Sequence, residues 1–313
     1  MTRTSRLRAA LESAGAARGV VACRTAEAGA VVRSWGPVSA TAVFEAGSVT
    51  KTVTGLLLAL AIQAGEVSGS DRLDRFLTGT GPAGGATLGE LGSHTSGLPR
   101  LPAAMLIRSL GHPGQPYRGA SLSSLVRDTR RVRLRRAGEA AYSNLGMALL
   151  GHGLAVAATV PYWELARSRV LTPLRMTSSG DLPESALAAP AGAWDLGAYG
   201  PAGGLRATAG DLLRLAWVAV RPGDSPFPAA ATEALRPRAV MNNGHVSWGW
   251  MLRTGPRGTD AWHNGATGTG WAFIGASSSC AIAACVPARR QPDWNTAALQ
   301  ALGRPDANGE PRA

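Results

Sequence analysis

The sequence contains almost no lysine. Its 313 residues include 32 basic side chains, of which Lys51 is the only lysine and 31 are arginines. Long hydrophobic runs are also missing, because the longest, Val53 to Ile62, is shorter than the roughly 18 residues that a membrane-spanning helix requires. The cysteines Cys23, Cys280 and Cys285 form no Cys-x-x-Cys pair, and the five histidines never stand at zinc-ligand spacing. We therefore expect buried thiols, no metal site and no association with a membrane.

The composition is that of a globular protein. Hydrophobic residues make up 45% and charged residues 17% of the chain, which argues against a disordered or coiled-coil protein. The length suffices for one large domain or two smaller ones with a sizeable core. Near the N-terminus, Glu12 and Ser13 interrupt the apolar stretch that a signal peptide would need, so we expect a cytoplasmic protein.

The net charge of +12 raises the question of a nucleic-acid partner. The one dense basic run contains Arg130, Arg131, Arg133, Arg135 and Arg136, with no aromatic side chain between them. Proteins that bind single-stranded nucleic acids combine such charges with aromatic residues on which bases stack. We therefore interpret the run as a solvated surface and expect no nucleic acid. An anionic substrate or an acyl carrier is the alternative partner for these arginines.

Strand patterns stand at both ends of the chain. After an N-terminal helix over Thr4 to Ala17, two short apolar runs predict a hairpin over Gly19 to Cys23 and Ala30 to Trp35. Further strands are predicted over Val246 to Arg253, Ala261 to His263, Gly270 to Gly275 and Cys280 to Val286, before a closing helix over Asp293 to Leu302. A sheet built from both ends of the chain follows from this pattern.

The middle of the chain differs from its ends. Residues 76–240 show loops and short helices with frequent proline and glycine. The pattern predicts an α/β (α+β) fold in which residues 1–75 and 241–313 form a discontinuous sheet domain and residues 76–240 a mostly helical insertion domain. Residues 304–313 are expected to be a frayed tail. A cleft between the two domains is the expected place for a small-molecule site.

Lys51 stands three residues after Ser48, at the start of a predicted helix that runs to Ala64 and is apolar on every side. A helix of that kind is buried inside its domain. Residues i and i+3 share a helix face, so the hydroxyl and the amine come within hydrogen-bond reach. A buried lysine can lose its proton and act as a base, which an arginine cannot do. A serine beside such a base is the arrangement that nucleophilic catalysis requires.

Two further segments carry polar groups suited to a site. Tyr142 stands two residues before Asn144. Nearby cations lower the pKa of a tyrosine toward the range of a proton shuttle, and an asparagine can bind a substrate amide or carbonyl. Near the C-terminus, His263 and Gly265 lie on a predicted strand, where a glycine lets a substrate backbone approach closely.

In this order, these segments resemble the serine β-lactamase and penicillin-binding-protein superfamily, specifically its branch of class C β-lactamases, D,D-peptidases and family VIII esterases. The similar stretches are Phe44 to Thr52, Leu91 to Pro99, Tyr142 to Gly146, Pro173 to Met176 and Gly203 to Leu212. The resemblance runs from about Gly19 to Leu302. It implies a β-lactamase/transpeptidase-like fold, with an antiparallel sheet flanked by helices, and an enzyme without a cofactor.

The resemblance also implies a role for each matching residue. Ser48 would be the acylated nucleophile, and Lys51 and Tyr142 would be the paired base and acid. The backbone N–H groups of Ser48 and Ala266 would form the oxyanion hole. The implied substrate-binding residues are Asn144, His263, Gly265 and Ala266.

His263 departs from the pattern of the β-lactamases, which carry a lysine there to meet the carboxylate of the antibiotic. The departure favours hydrolysis of an ester or amide, or acyl transfer in a biosynthetic pathway, with β-lactamase or D,D-peptidase activity as the alternative. A binding or regulatory protein on the same fold is the other alternative. It would lose the serine, the lysine or the tyrosine, and this chain keeps all three.

His94 raises a different interpretation, a Ser-His-Asp triad with Ser48 and Asp71. The Gly-x-Ser-x-Gly pattern that such hydrolases favour is absent around Ser48. We therefore predict that His94 holds a loop in place.

Overall fold

Both ends of the chain contribute strands to one antiparallel sheet. The computed structural model describes residues 2–111, 114–181, 192–255, 258–288 and 294–303. The strands are β1 (Gly19–Thr25), β2 (Gly29–Trp35), β3 (Phe44–Glu45), β4 (Arg206–Ala207), β5 (Ala239–Met241), β6 (Gly244–Val246), β7 (Met251–Gly255), β8 (Gly258–Ala266), β9 (Gly270–Ala276) and β10 (Cys280–Pro287). Eight of them pair in the order β2-β1-β10-β9-β8-β7-β6-β5, and β3 pairs with β4. The N-terminal hairpin therefore joins the sheet beside the last strand.

Helices cover both faces of this sheet. They are α1 (Arg3–Ser13), α2 (Thr50–Gln63), α3 (Leu88–Gly92), α4 (Ala103–Leu110), α5 (Leu122–Thr129), α6 (Asn144–Ala158), α7 (Tyr162–Ala166), α8 (Gly200–Gly203), α9 (Ala209–Val220), α10 (Pro228–Ala234) and α11 (Trp294–Gly303). Helices α1 and α11 pack on one face, and α9 packs across β1, β9 and β10 on the other. The predicted antiparallel sheet flanked by helices is confirmed.

Strand β10 shows why the sheet is covered on both sides. Its side chains alternate between the two cores, with Ile282 and Ala284 facing α1 and α11, and Ala281 and Ala283 facing the larger core. Successive side chains of a strand point to opposite faces, so a strand that is apolar throughout must be buried twice. The small alanines on the larger-core side let α9 lie close to the sheet.

Helix α2 runs through the middle of the larger core. Its residues from Thr50 to Ala59 are all buried, which agrees with its apolar composition on every side. The helix ends at Gln63, and Gly65 follows with φ of +70°, a conformation that glycine adopts without strain. This central position fixes the residues at the start of α2 against the sheet.

Several predicted boundaries are wrong. The predicted strand over Val246 to Arg253 is two strands, β6 and β7, because the chain bends at residues 247–250. The N-terminal helix ends at Ser13 rather than Ala17. Residues 76–240 contain more than short helices, since α6 has 15 residues and α9 has 12. Both helices are apolar segments, which tertiary packing stabilises over their whole length.

The predicted division into a sheet domain and an insertion stays a prediction. Helix α9 lies within the range 76–240 and packs on the sheet, and one core cluster holds residues from both parts. The predicted tail at 304–313 and residue Asp293 lie outside the described residues.

Within the described ranges, no single helix is both long and apolar enough to cross a membrane. One pair, α6 with Tyr162–Leu171, meets that test only when the two are taken together, and the pair is bent by 81°.

Candidate active site

Ser48 lies in a tight turn that leads into α2. The turn is a 3-10 helix over Gly47–Val49, and Gly47 has φ of +52°. A side chain on Gly47 would come within 2.9 Å of the Ala266 nitrogen, and one on Gly265 would collide with the Ala46 carbonyl oxygen. The nucleophile turn and the end of β8 are therefore in direct backbone contact, and glycine is required on both sides.

Lys51 is completely buried beneath Ser48. Its Nζ lies 2.8 Å from the Ser48 Oγ and donates a hydrogen bond to the Ala202 carbonyl at 2.6 Å. Burial, and to a smaller extent the charge of Arg100, hold the pKa of the Lys51 ammonium well below its ordinary value. The amine is thus prepared to accept a proton from the Ser48 hydroxyl, which is only partly buried and accessible to a substrate.

Tyr142 lies beside Lys51. Its ring centroid is 4.9 Å from the Lys51 Nζ and 5.2 Å from the guanidinium carbon of Arg100. The sequence-based expectation that cations lower its pKa is wrong for the resting enzyme. Burial raises the pKa of the phenol, and this outweighs the lowering by a hydrogen bond with Ser48 and by the Arg100 charge. Tyr142 is therefore a protonated phenol, which is the form of a general acid.

The end of β8 lies where the predicted oxyanion hole requires it. Its backbone at Ala266 faces the turn that holds Ser48, and Ala266 is exposed to the same cavities as Ser48. Buried Glu45, in β3, secures this arrangement from behind. Its carboxylate accepts hydrogen bonds from the Thr267 hydroxyl at 2.9 Å, from the Thr269 hydroxyl, and from the Trp194 N–H at 2.6 Å. These hydrogen bonds fix the residues that follow β8, so the backbone N–H groups of Ala266 and Ser48 are held close to each other.

His94 lies behind Tyr142 rather than beside Ser48. Its Nδ1 accepts a hydrogen bond from the Ser143 N–H at 3.2 Å, its carbonyl accepts one from the Ala141 N–H at 2.8 Å, and its ring packs 4.7 Å from Tyr142. Asp71 instead accepts hydrogen bonds from the Ser68 N–H and from Arg75. His94 holds the tyrosine segment, and a Ser-His-Asp triad is not formed by these residues.

His263 is buried and uncharged. Its Nδ1–H donates to the Asn264 carbonyl at 2.7 Å, which leaves Nε2 as an acceptor without a partner among the described residues. Burial, followed by the charge of Lys51, lowers the pKa of the imidazole to about 3. His263 therefore presents a neutral acceptor to the site where a β-lactamase would present a cation.

An aromatic cavity of about 230 Å³ opens on one side of Ser48. Tyr117 packs there against Trp194 and Tyr199 with tilted rings, whose centroids are 5.6 and 5.1 Å away. Asn144 donates from its Nδ2 to the Tyr117 hydroxyl at 2.9 Å, and its buried Oδ1 has no partner within the described ranges. The cavity can hold a mainly apolar group that carries one N–H or O–H donor.

A larger cavity of about 470 Å³ opens on the other side of Ser48. Its lining is both polar and apolar and comes from strands β5 to β8, from α11 and from the segments that hold Ser48, Arg100 and Tyr142. The described polar and charged residues in the lining are Ser48, Arg100, Tyr142, Asn242, Asn243, His245, Arg253, His263 and Asn264. Arg100 lines both cavities, so the nucleophile lies between two substrate-sized spaces that share one cation.

The structure therefore brings together all the residues singled out from the sequence: Ser48, Lys51, Tyr142, Asn144, His263, Gly265 and Ala266. Their catalytic and binding roles stay predictions. Sequence reasoning missed Glu45, Arg100, Tyr117 and Trp194. Two of these had a signal, since Glu45 and Arg100 stand within or directly after the stretches that carry the family resemblance. Tyr117 and Trp194 reach the site from loops with no local pattern.

Comparison with known proteins agrees with this geometry. A class C β-lactamase from Rhodobacter sphaeroides has a TM-score of 0.80 and 18% identity, over 96% of this chain and 97% of that one. A D-stereospecific amidohydrolase from Streptomyces sp. has a TM-score of 0.82 and 18% identity, over 96% and 98% of the two chains. A β-lactamase/D-alanine carboxypeptidase from Pseudomonas syringae has a TM-score of 0.79 and 15% identity, over 95% and 96%. No curated protein matches this sequence significantly.

The solved structures at these identities show a shared fold. The family itself is shown by sequence, because the profile of the Beta-lactamase family matches residues 7–299. The match includes every residue of the site described above. With its serine-hydrolase geometry and a profile match over nearly its whole length, the chain belongs to the Beta-lactamase family.

Proposed function

We propose that this protein hydrolyses an ester through an acyl-enzyme on Ser48. One observation carries the proposal: the only lysine of the chain is completely buried with its Nζ 2.8 Å from the Ser48 Oγ. Among the described residues, Lys51 has no carboxylate partner that requires its charge, and the Ala202 carbonyl can also accept a hydrogen bond from a neutral amine. A neutral amine beside a serine hydroxyl is a general base beside its nucleophile.

The first step follows from these positions. The Ser48 hydroxyl gives its proton to the Lys51 amine while Oγ forms a bond to the carbonyl carbon of the ester. The electron pair of the carbonyl moves to its oxygen, and the N–H groups of Ser48 and Ala266 stabilise that negative charge. Removal of one such donor typically costs about 10²- to 10³-fold in rate.

Tyr142 completes the step as the acid. When the tetrahedral intermediate collapses, the bond to the alcohol oxygen breaks and the phenol gives that oxygen its proton. The resulting phenolate lies within the field of two cations, the Lys51 ammonium and Arg100. In the second step, the phenolate takes a proton from water, which attacks the acyl carbon, and Ser48 is released with the Lys51 proton returned to its oxygen.

The aromatic cavity suits the acyl group of the substrate. Tyr117, Trp194 and Tyr199 give it apolar walls, and burial of an apolar acyl chain there would supply binding energy. The unpartnered Asn144 Oδ1 would accept an N–H group, so an acyl group that carries an amide is a suitable occupant.

An ester is a better candidate than a β-lactam because strand β8 offers no cation at His263. Its pKa of about 3 keeps the imidazole neutral at every working pH. The carboxylate of a β-lactam would meet there a buried acceptor atom, which repels rather than attracts it. Amide hydrolysis is the nearest alternative, since the same groups would protonate an amine leaving group.

Acyl transfer is a second candidate, favoured by the position of the basic run. The Arg135 N–H donates to the Gly97 carbonyl at 2.9 Å, and the Gly138 N–H donates to the Thr95 carbonyl at 2.8 Å. The exposed arginines of this run are therefore held along the turn that also supports Tyr142. An anionic acyl carrier docked there would bring its acyl group toward Ser48.

The test is a panel of substrates with intact-protein mass spectrometry. The wild-type protein should hydrolyse p-nitrophenyl butyrate, and rapid quenching should show an adduct with the mass of the butyryl group. Ser48→Ala should lose turnover, the adduct and labelling by a fluorophosphonate probe, whereas Ser96→Ala, a buried serine on the neighbouring turn, should keep all three. Turnover of nitrocefin or of a D-Ala-D-Ala peptide that exceeds turnover of the ester would overturn the choice of substrate. Labelling that persists in Ser48→Ala would overturn the nucleophile.

A further inference from the structure

Arg100 is the cation at the mouth of the site. It follows the turn that holds His94, and its own carbonyl accepts a hydrogen bond from the Leu145 N–H at 3.2 Å. The guanidinium is exposed and lies over the Tyr142 ring at 5.2 Å. Arg100 also lines both the aromatic cavity and the larger cavity, which lie on the two sides of Ser48. A substrate in either cavity therefore comes within its reach.

The charge of Arg100 is uncompensated. Of the two arginines among the described cavity residues, Arg253 pairs with Asp260 at 2.8 Å. Arg100 forms no ion pair with any carboxylate in the described part of the chain. None of the described residues that line the two cavities is acidic. Within the described residues, the site thus has a permanent positive charge and no acidic group that neutralises it.

We propose that Arg100 is a specificity-determining residue that binds a carboxylate of the substrate beside the reacting ester. A guanidinium presents a planar pair of donors that matches a carboxylate, and it holds its charge at every working pH. The inference rests on the proposed esterase function and adds the chemical class of the substrate, a carboxylate-bearing ester. It also places the cation of the site on the Tyr142 side rather than on β8, where His263 is neutral.

A purely electrostatic role is the competing explanation. The charge of Arg100 also acts on Lys51 and Tyr142, so its removal could change the reactivity of the site toward every ester. Such an effect would be equal for charged and neutral substrates with the same scissile bond. Recognition of a carboxylate would affect only the charged member of a pair. The ratio of kcat/KM within a matched pair therefore separates the two roles.

The experiment uses two matched pairs of esters. The first pair, phenyl butyrate and 3-carboxyphenyl butyrate, places the charge on the leaving group. The second, p-nitrophenyl hexanoate and mono-p-nitrophenyl adipate, places it on the acyl group. The wild type is compared with Arg100→Gln, Arg100→Lys and the control Arg33→Gln, which removes an exposed arginine of β2 that lines neither cavity.

In the wild type, we expect the charged ester of one pair to be preferred by about tenfold to a hundredfold, the range expected for hydrogen bonds to a charged group. Arg100→Gln should abolish this preference, Arg100→Lys should keep part of it, and Arg33→Gln should leave it unchanged. The pair that responds identifies the side of the ester that carries the carboxylate. A wild type without preference in either pair, or an equal loss on charged and neutral esters in Arg100→Gln, would overturn the proposal.

A binding measurement keeps this test independent of turnover. In the Ser48→Ala background, calorimetry with each of the two charged esters should show binding of at least one of them, and Arg100→Gln should weaken that binding about tenfold or more. If the wild type hydrolyses no ester but this binding difference is found, the proposed esterase function fails while the anion site stands. Equal binding to both proteins would overturn the anion site, whatever the activity.

Discussion

Replacement of Lys51 by methionine is the most direct test of the base. Lys51→Met keeps an unbranched side chain of similar length in a position that is completely buried, so the core stays filled. It removes the amine 2.8 Å from the Ser48 Oγ and leaves the nucleophile, Tyr142 and the oxyanion hole in place. Loss of general-base assistance typically lowers the rate by about 10² to 10⁴. We expect kcat/KM on p-nitrophenyl butyrate to fall by at least about a hundredfold.

The effect on stability should be small, because two contributions oppose each other. The Ala202 carbonyl loses its donor, and an unpartnered buried acceptor costs about 1 to 3 kcal/mol. Burying a methionine in place of an amine offsets this cost, since the polar group no longer has to be desolvated. The net change should stay within about 2 kcal/mol, which corresponds to roughly 3 °C in Tm for a protein of this size.

The assays are ester hydrolysis, the rate of fluorophosphonate labelling and a thermal melt monitored by circular dichroism. A melt close to that of the wild type would exclude unfolding as the cause of lost activity. Lys51→Met that is labelled within tenfold of the wild-type rate would refute the base assignment. Arginine is the less informative substitution, because a larger side chain with a permanent charge would have to be buried without a carboxylate.

Three further predictions follow from the geometry. Tyr142→Phe should lower kcat by at least about a hundredfold without changing the far-UV circular dichroism spectrum, and activity within threefold of wild type would exclude it as the acid. Gly265→Ala should lower kcat/KM by about 10² to 10³, because the added methyl group pushes β8 away from the Ala46 carbonyl and opens the oxyanion hole. Gly223→Ala, which has open space around it, should leave kcat/KM unchanged. The kcat/KM for a neutral ester should rise with pH until Lys51 is deprotonated and then level off. Because burial lowers the pKa of Lys51, a rise centred near 10.5, the ordinary value of a lysine, would contradict its assignment as the base.

Local spacing explains how much of the site could be predicted. Ser48 and Lys51 lie three residues apart, and a 3-10 turn or an α-helix each place such residues on one face, so the pair was predictable although the exact helix start was not. The short apolar runs near both ends of the chain likewise predicted a sheet built from both ends, which the structure has. These features depend on neighbours in the sequence.

The properties that could not be predicted depend on residues that are close in space but distant in the sequence. Tyr142 was expected to have a pKa lowered by nearby cations, but the packing of His94 and Lys51 against its ring makes burial the larger effect. The neutrality of His263 has the same cause. Glu45 lies within a stretch that carries the resemblance, but only the fold shows that it binds Thr267, 222 positions away.

The direct contact between the nucleophile turn and β8 has a consequence for the newly made chain. Ser48 is synthesised more than two hundred residues before Ala266, and β10, which pairs with β1, comes later still. Until those strands are added, Lys51 is solvated and holds its proton, and Ser48 has neither a base nor an oxyanion hole. Ser48, the proposed nucleophile, should therefore be unreactive throughout synthesis and in any fragment that ends before β8. Completion of the sheet is the step that would assemble the proposed base and oxyanion hole around it.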